Sequence, residues 1–296
     1  MTEPVADVVY RPATQDDLPA AADLFLASVA DMFSRHGISQ PLTPREVVLA
    51  SYGHVLRTGI FEVAEVAGRI EAIASAIVRD KLWFLSTFWV RPGSQRRGLG
   101  GPLLDRVWAQ GEAEGATTFF TYSSIDTTAM AAYMRRGMLP GWPILVFGGR
   151  PAALPDAPAV YESGPLTVAD AAELDREIRA AGRKPDHAWW LGGGQPFRGR
   201  LVSRAGEPAG YFYVVRGAVG PACWTGSRHA EAVLSLALRD AVADGGDVKL
   251  VVPGINHAAI RFALGSGLRL TGFSHLLTTS EFGRMERYLA SGPSLF

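Results

Sequence analysis

The residues best suited to chemistry in this sequence form a basic, glycine-rich turn that reads Gln95-Arg96-Arg97-Gly98-Leu99-Gly100-Gly101. A run rich in aromatic and β-branched residues (82–90) precedes the turn and has the composition of a buried strand. An amphipathic segment from about residue 101 follows it with helical spacing. Glycines let backbone N–H groups approach an anion, a helix N-terminus favours negative charge, and arginines add charge-assisted hydrogen bonds. This pattern predicts a site for a phosphate-bearing ligand.

Two other kinds of glycine-rich phosphate loop do not fit the residues that follow the glycines. A Walker A loop needs Gly-Lys-Ser/Thr, whereas Gly100 is followed by Gly101 and Pro102. A dinucleotide-binding G-x-G-x-x-G motif needs a third glycine at the position of Leu103. A loop that merely turns the chain is the alternative that involves no ligand.

The remaining pattern is Val90-x-Pro92 followed by Gln95-x-x-Gly98-x-Gly100. It resembles the coenzyme A motif of the GNAT superfamily of N-acetyltransferases, which lies between a strand ending in V-x-P and a helix. The resemblance implies acetyl-CoA as co-substrate and transfer of an acyl group to an amine.

A second pattern supports the same resemblance. GNAT proteins commonly carry N-x-x-A-x-x-x-Y-x-x-x-G-F in a later helix, and this chain has Asp126, Ala129, Tyr133, Gly137 and Met138 at that spacing. Asp126 and Met138 depart from the common residues. Aspartate still caps a helix, so we expect the helix to be kept.

Periodicity and turn signals predict a β-α-α-β-β-β-α-β-α-β order for the first repeat, residues 5–148. This is the element order of the GNAT fold. The predicted strands are 5–10, 60–66, 70–78, 82–90, 117–122 and 142–147, and the predicted helices are 14–29, 43–57, 101–114 and 126–137.

The later part of the chain, the second repeat (residues 161–296), follows the first at a constant offset of 130 residues. Asn256, Ala259, Ala263 and Gly267 fall on Asp126, Ala129, Tyr133 and Gly137 in this way. The expected fold class is therefore α/β (α+β), with two tandem GNAT-like domains, each a mixed central sheet flanked by helices. The expected bounds are 1–149 and 161–296, joined by a Gly-, Pro- and Ala-rich linker at 150–160.

The second repeat is predicted to have lost the phosphate loop. Arg228 and Ala230 stand where the first repeat has Gly98 and Gly100, and their Cβ atoms would obstruct a pyrophosphate. Ala263 stands in place of Tyr133. We therefore expect one coenzyme A site per chain, in the first repeat.

The resemblance assigns roles to residues of that site. The backbone of Phe88, Trp89 and Val90 would hold the pantetheine arm, and N–H groups from Gln95 to Gly101 would hold the pyrophosphate. Arg96 and Arg97 would neutralise phosphate charge, and Asp126 is placed beside the cofactor. Tyr133 would protonate the departing thiolate, although its spacing also fits a packing residue of an amphipathic helix.

The general base is left open by the sequence. Many relatives use a carboxylate on the strand at 82–90, but residues 82–94 contain none. The remaining candidates, each more typical of a solvated surface residue, are Asp31, His36, His54, Glu62 and Glu65.

Composition limits the other ligands. The 296 residues carry 29 basic and 29 acidic side chains, a balance that argues against nucleic-acid or membrane-surface binding. Cys223 is the single cysteine and the histidines are scattered, so we expect no disulfide and no metal site. No apolar run approaches the ~18 residues of a membrane span, and residues 1–10 do not read as a signal peptide, which favours a cytoplasmic protein.

Two functions from different classes fit these observations. The first is an N-acetyltransferase for a small-molecule or amino-acid-like amine, acting as a monomer or homodimer. The second is a catalytically silent acyl-CoA-binding sensor or partner module. Tyr133 favours the first hypothesis, and the missing strand carboxylate favours the second.

Overall fold

The computed structural model describes residues 7–193 and 197–296. By contact, the chain divides after Phe119 into a first unit and a second unit. The predicted strand at 5–10 corresponds to β1, and residues 5 and 6 lie outside the described residues.

The first unit is an antiparallel sheet with helices on both faces. The strands β1 to β4 pair in chain order, each antiparallel to the next. Its elements are β1 (Val8–Pro12), α1 (Leu18–Arg35), α2 (Arg45–Thr58), β2 (Ile60–Val66), β3 (Arg69–Arg79), β4 (Leu82–Val90), α3 (Gly100–Ala113) and the start of β5 (Thr118–Ser123).

Side-chain alternation along β2 shows how the layers form. Phe61 and Val63 pack into the core with α1 and α2, whereas Glu62 points to the other face and binds Arg106 and Gln110 of α3. The helices α1 and α2 therefore cover one face of the sheet, and α3 covers the other.

The second unit contains the remainder of β5 and a mixed sheet in the order β5-β12-β6-β11-β10-β9-β8-β7. The pair β10–β11 is parallel. Its other elements are α4 (Thr127–Met134), β6 (Leu139–Gly149), β7 (Tyr161–Pro165), α5 (Val168–Ile178), α6 (Lys184–Leu191), β8 (Arg198–Arg204), β9 (Glu207–Val215), β10 (Ala218–Trp224), α7 (Ala230–Val242), β11 (Val248–Pro253), α8 (His257–Gly265), β12 (Arg269–Thr278) and β13 (Tyr288–Leu289).

The closing strands of the two repeats are exchanged. The strand β6 follows β5 along the chain but pairs with β11 and β12, and β12 pairs with β5 and β6. Residues 120–149 therefore group by contact with the second repeat. The bounds 1–149, 150–160 and 161–296 describe the sequence repeat, and as limits of separate domains they stay a prediction.

The mixed α/β fold class predicted from the sequence is confirmed. Among elements that the sequence analysis does not anticipate are α6, β12 and β13. Trp190 of α6 is buried against His187, Phe197 and Tyr213, whereas Trp189 is half-buried.

Candidate coenzyme A site

The site starts at the end of β4, where the strand is irregular. Ser75 pairs with Thr87 and the next residue, Ala76, pairs with Leu85, so Ser86 is an extra residue that forms a β-bulge. A bulge redirects the strand that carries it, and bulges are over-represented beside active sites.

Beyond the bulge, backbone groups alternate in direction. Arg91 N donates to Glu71 O of β3 at 2.8 Å. In an antiparallel pair, every second residue points its backbone N–H and C=O towards the partner strand. The backbone groups of Trp89 therefore face β3, and those of Phe88 and Val90 face away from it. The carbonyl oxygen of Val90 accepts hydrogen bonds from Gln95 Nε2 at 3.3 Å and Ser28 Oγ at 3.4 Å. Of the three residues expected to hold the pantetheine arm, Phe88 and Val90 thus present backbone groups on the side opposite β3.

The loop after β4 requires glycine at two positions for different reasons. Gly98 has φ +85°, a conformation that side chains with a Cβ rarely adopt. A Cβ on Gly100 would lie 2.9 Å from Cζ of Phe88, so the first turn of α3 could not pack this closely on the strand end. These two glycines bring the helix N-terminus against β4.

The positive charge of the loop points to solvent. Arg96 and Arg97 are exposed, and neither forms an ion pair or side-chain hydrogen bond with any residue in 7–193 or 197–296. Because α3 begins at Gly100, its first backbone N–H groups lack helical acceptors and lie beside these arginines in the chain. Leu99 is 6% exposed and holds the loop to the core.

A residue that sequence reasoning missed holds the base of this loop. Glu71 on β3 is 3% exposed, accepts a hydrogen bond from Ser94 Oγ at 2.7 Å and forms ion pairs with Arg69 and Arg91. Arg91 also donates to the carbonyl oxygen of Ile70. The only sequence signal was an acidic residue at a strand position where its neighbours are apolar.

Tyr133 and Asp126 belong to the second unit. Asp126 caps α4, since its Oδ1 accepts from Thr128 N at 2.9 Å and Ala129 N at 3.0 Å. Tyr133 is 5% exposed, and burial, with a smaller effect of the Asp126 charge, raises the pKa of its phenol well above the ordinary value. The group is therefore a protonated donor throughout the neutral range.

The carboxylates considered as general bases have other partners. Glu62 is 1% exposed and binds Arg106 Nε at 2.7 Å. Glu65 binds Arg11, and Asp31 pairs with Arg35. Of the two histidines, His54 is buried in α2 and His36 is exposed after α1.

The second repeat has a different geometry at the corresponding loop. Arg228 lies in a short 3₁₀ helix, Ser227–His229, which leads into α7. Ala263 is fully buried in the core of this repeat. The open, positive-φ turn at Gly98 therefore has no counterpart at Arg228.

The described ranges contain neither a cluster of metal-ligating side chains nor a helix suited to a membrane. Across residues 7–193 and 197–296, no three His, Cys, Asp or Glu side chains are placed to hold a metal ion. In the same part of the chain, every helix is too short or too polar to cross a lipid bilayer.

A strand, a glycine-rich loop and a helix N-terminus in this order can hold a phosphate-bearing ligand. Comparison with known proteins indicates which family of phosphate-binding proteins part of the chain resembles. Residues 35–138 match the sequence model of the acetyltransferase (GNAT) family.

Solved structures share the fold along nearly the whole chain. A proposed acetyltransferase from Pyrococcus horikoshii is 17% identical, with a TM-score of 0.77 over 100% of this chain and 98% of that one. A tandem GNAT protein from the clavulanic acid biosynthesis pathway is 16% identical, with a TM-score of 0.61 over 92% and 98%. A GCN5-related N-acetyltransferase from Sphaerobacter thermophilus is 16% identical, with a TM-score of 0.61 over 92% and 95%.

At these identities the structural likeness shows the fold alone. Curated proteins gave no significant match to the sequence. The family match over residues 35–138 and the fold shared with a tandem GNAT protein both agree with the GNAT resemblance drawn from the coenzyme A motif.

Proposed function

We propose that the chain is an acetyl-CoA-dependent N-acetyltransferase that acylates the primary amine of a small molecule or an amino-acid-like acceptor. The observation that carries this proposal is the junction of β4, the loop 95–101 and α3. There, Gly100 packs against Phe88, and two exposed arginines without protein partners flank the helix N-terminus.

This junction fits the chemistry of coenzyme A. The backbone groups of Phe88 and Val90 would hold the pantetheine arm, and the N–H groups from Gln95 to Gly101 would hold the pyrophosphate. Arg96 and Arg97 would offset its charge. Acetyl-CoA, when bound, supplies the acyl group as a thioester.

Tyr133 is the proposed proton donor to the leaving thiolate. The role rests on the position of Tyr133 in the α4 motif, and the phenol carries a proton to donate in the neutral range. Asp126 would act by fixing the start of α4, and therefore the position of Tyr133 two turns along the helix.

An open pocket in the first unit is a candidate for the acceptor. It has a volume of about 550 Å³ and lies between the end of α1 and the following loop, with Phe33, Ile38, Pro41 and Leu42 in its wall. No lining residue is charged.

The alternative of a silent acyl-CoA-binding module is favoured by a specific observation. Residues 82–94 contain no carboxylate, and the buried carboxylate of Glu62 is already bound to Arg106 and Gln110. If no protein group deprotonates the amine, the chain would bind the thioester without transferring it.

Thiol release from acetyl-CoA over a broad amine panel separates the two functions. The enzyme hypothesis predicts release that depends on an amine and is lost in a Gly98→Trp/Gly100→Trp variant. The binding-module hypothesis predicts saturable acetyl-CoA binding with no amine-dependent release. A chain that neither binds nor releases would contradict both.

A further inference from the structure

The second repeat contains a gap between two strands that start as neighbours. The strands β10 and β11 pair in parallel at Ala218–Lys249 and Val219–Leu250. Beyond Val219 the pairing with β11 ends, the pairing of β10 with β9 shifts register, and Ala222 and Cys223 pair with β13. A separation of this kind leaves one edge of each strand needing a partner.

Residues 285–296, here termed the plug segment, occupy this gap and form backbone hydrogen bonds to both β10 and β11. Leu289 and Tyr288 pair with Ala222 and Cys223 of β10. On the opposite side, Ala290 N donates to Val251 O of β11 at 3.1 Å. The plug segment therefore lies between the two strands as an added strand, the arrangement by which sheets bind extended peptides.

A residue of the repeated helix motif also binds the plug segment. Asn256 is fully buried, caps α8 through Oδ1, and donates from Nδ2 to Tyr288 O at 2.9 Å. A Cβ on Gly220 would overlap the carbonyl oxygen of Ala290. Asn256 therefore binds the backbone of the plug segment, and the absence of a side chain at Gly220 leaves room for it.

The distal part of the plug segment lies in a closed aromatic pocket. Phe296 is 1% exposed, and its ring contacts those of Phe120, Tyr122 and Tyr288. Leu295 beside it is 6% exposed. Burying two large apolar side chains is a substantial driving force for a short segment.

Two buried arginines hold the backbone at the same point. Arg183 Nη1 donates to Phe296 O at 2.8 Å, and Arg179 Nε donates to it at 3.2 Å. Arg183 is in turn held by Asp175 at 2.6 Å, whereas Arg179 Nη1 has no hydrogen-bond partner in the described ranges. The pocket therefore combines an aromatic wall with donors for a carbonyl or carboxylate oxygen.

We propose that the strand gap of the second repeat is a peptide-binding cleft whose resident occupant is the plug segment. Its ligand class is a short extended peptide that pairs with β10 and places an aromatic residue beside Arg179 and Arg183. This inference rests on the proposed function in one respect. The gap lies beside β10, the counterpart of β4, so the plug segment takes the place that the pantetheine arm would have in the first repeat under the proposed function.

Cutting the chain after it has folded tests the cleft directly. Ser280 and Glu281 are exposed between β12 and the plug segment, so a protease recognition sequence is inserted between them. After cleavage, gel filtration and mass spectrometry at about 1 μM show whether the fragment beginning at Glu281 stays with the body. The experiment contains no coenzyme A. A negative result would therefore contradict the peptide-binding cleft without bearing on the proposed acetyltransferase activity.

The fragment is expected to stay with the body. Phe296→Ala should weaken this retention by about 100-fold or more, because truncation of a buried phenylalanine removes most of its contacts. Pro293→Ala, at an exposed position of the same segment, is the matched control and should leave retention unchanged.

Loss of the fragment from a body that keeps its far-ultraviolet circular dichroism would overturn the proposal, as would equal retention of the Phe296→Ala and parent fragments. If the body unfolds when the fragment leaves, a synthetic peptide of residues 281–296 is added. Recovery of the folded signal supports the cleft, and no recovery overturns it.

Discussion

Arg96 and Arg97 sit at the exposed tip of the loop after β4, and their guanidinium groups have no partner in the described part of the chain. We expect Arg96→Ala and Arg97→Ala each to weaken coenzyme A binding by roughly 1 kcal/mol, about fivefold in Kd, as exposed charge-assisted contacts are lost. Calorimetry at low salt measures the loss. Arg57→Ala, on the exposed side of α2, is the control.

The loss should shrink for a coenzyme A analogue without phosphates, because the contacts removed are to phosphate oxygens. Parent-like binding by both variants would show that these side chains point away from the ligand.

Tyr133 permits a separate test of chemistry. Tyr133→Phe keeps the buried ring and removes the hydroxyl, so stability and coenzyme A affinity should hardly change while kcat falls about 10²-fold. Since burial raises the pKa of Tyr133, the parent phenol stays protonated up to pH 9 and does not itself limit the rate there.

The deficit of Tyr133→Phe should decrease towards high pH, because a thiolate, from a thiol of pKa ~8.5, then leaves without a proton. Steady-state rates from pH 6 to 9 check this. Equal kcat across that range would reduce Tyr133 to a packing residue, and loss of coenzyme A affinity would indicate a structural hydrogen bond.

At the scale of elements, the anchor of the phosphate loop to β3 should matter for binding. Glu71→Gln removes the charge that holds Arg69 and Arg91 while retaining an acceptor for Ser94. We expect coenzyme A affinity to fall several-fold, about 1 kcal/mol, with kcat at saturation kept, because the loop is positioned less firmly. Glu65→Gln, which breaks an ion pair with Arg11 instead, is the control.

A fall in kcat with unchanged affinity for Glu71→Gln would contradict a loop-positioning role. Equal loss of affinity in both variants would show a general effect of removing an acidic side chain.

The helix α3 carries a second glycine with a packing role. A Cβ on Gly111 would overlap the ring of Trp83, which is fully buried and donates to Val107 O at 3.1 Å. Gly111→Ala should therefore lower the free energy of unfolding by about 1–3 kcal/mol. This steric cost should exceed the gain that alanine usually gives over glycine in a helix.

Gly101→Ala is the control for Gly111→Ala, since a Cβ there meets nothing within 4 Å. Chemical denaturation measures both variants. A Gly111→Ala chain as stable as the Gly101→Ala chain would show that Trp83 can move aside.

At the scale of the whole molecule, the sequence predicts features that depend on neighbouring residues. It misses features that depend on contacts between distant parts of the chain. The loop at 95–101, the cap at Asp126 and the closely spaced strands predicted at 60–66 and 70–78 follow from local conformational preferences, and the structure contains each of them. The exchange of β6 and β12 depends on which distant strand each one pairs with, and alternation alone does not specify a partner. β13 has two residues, too short for any pattern.

The same distinction applies to the site. Gly98 and Gly100 are identified by spacing because their function requires a backbone conformation or a close approach. Glu71 is missed because its role depends on Ser94 and Arg91, which lie about twenty residues further along the chain. Locally, the sequence shows only an acidic residue between apolar neighbours.

The asymmetry between the repeats leads to the central claim, that coenzyme A binds once per chain and through the first repeat. Calorimetric titration of the full chain with coenzyme A tests this claim most directly, with Gly98→Trp/Gly100→Trp as the variant. Bulky side chains at these positions would block the approach of the ligand to the backbone and to α3. We predict one site in the parent and none in the variant; two sites in the parent, or one site that survives in the variant, would contradict the account.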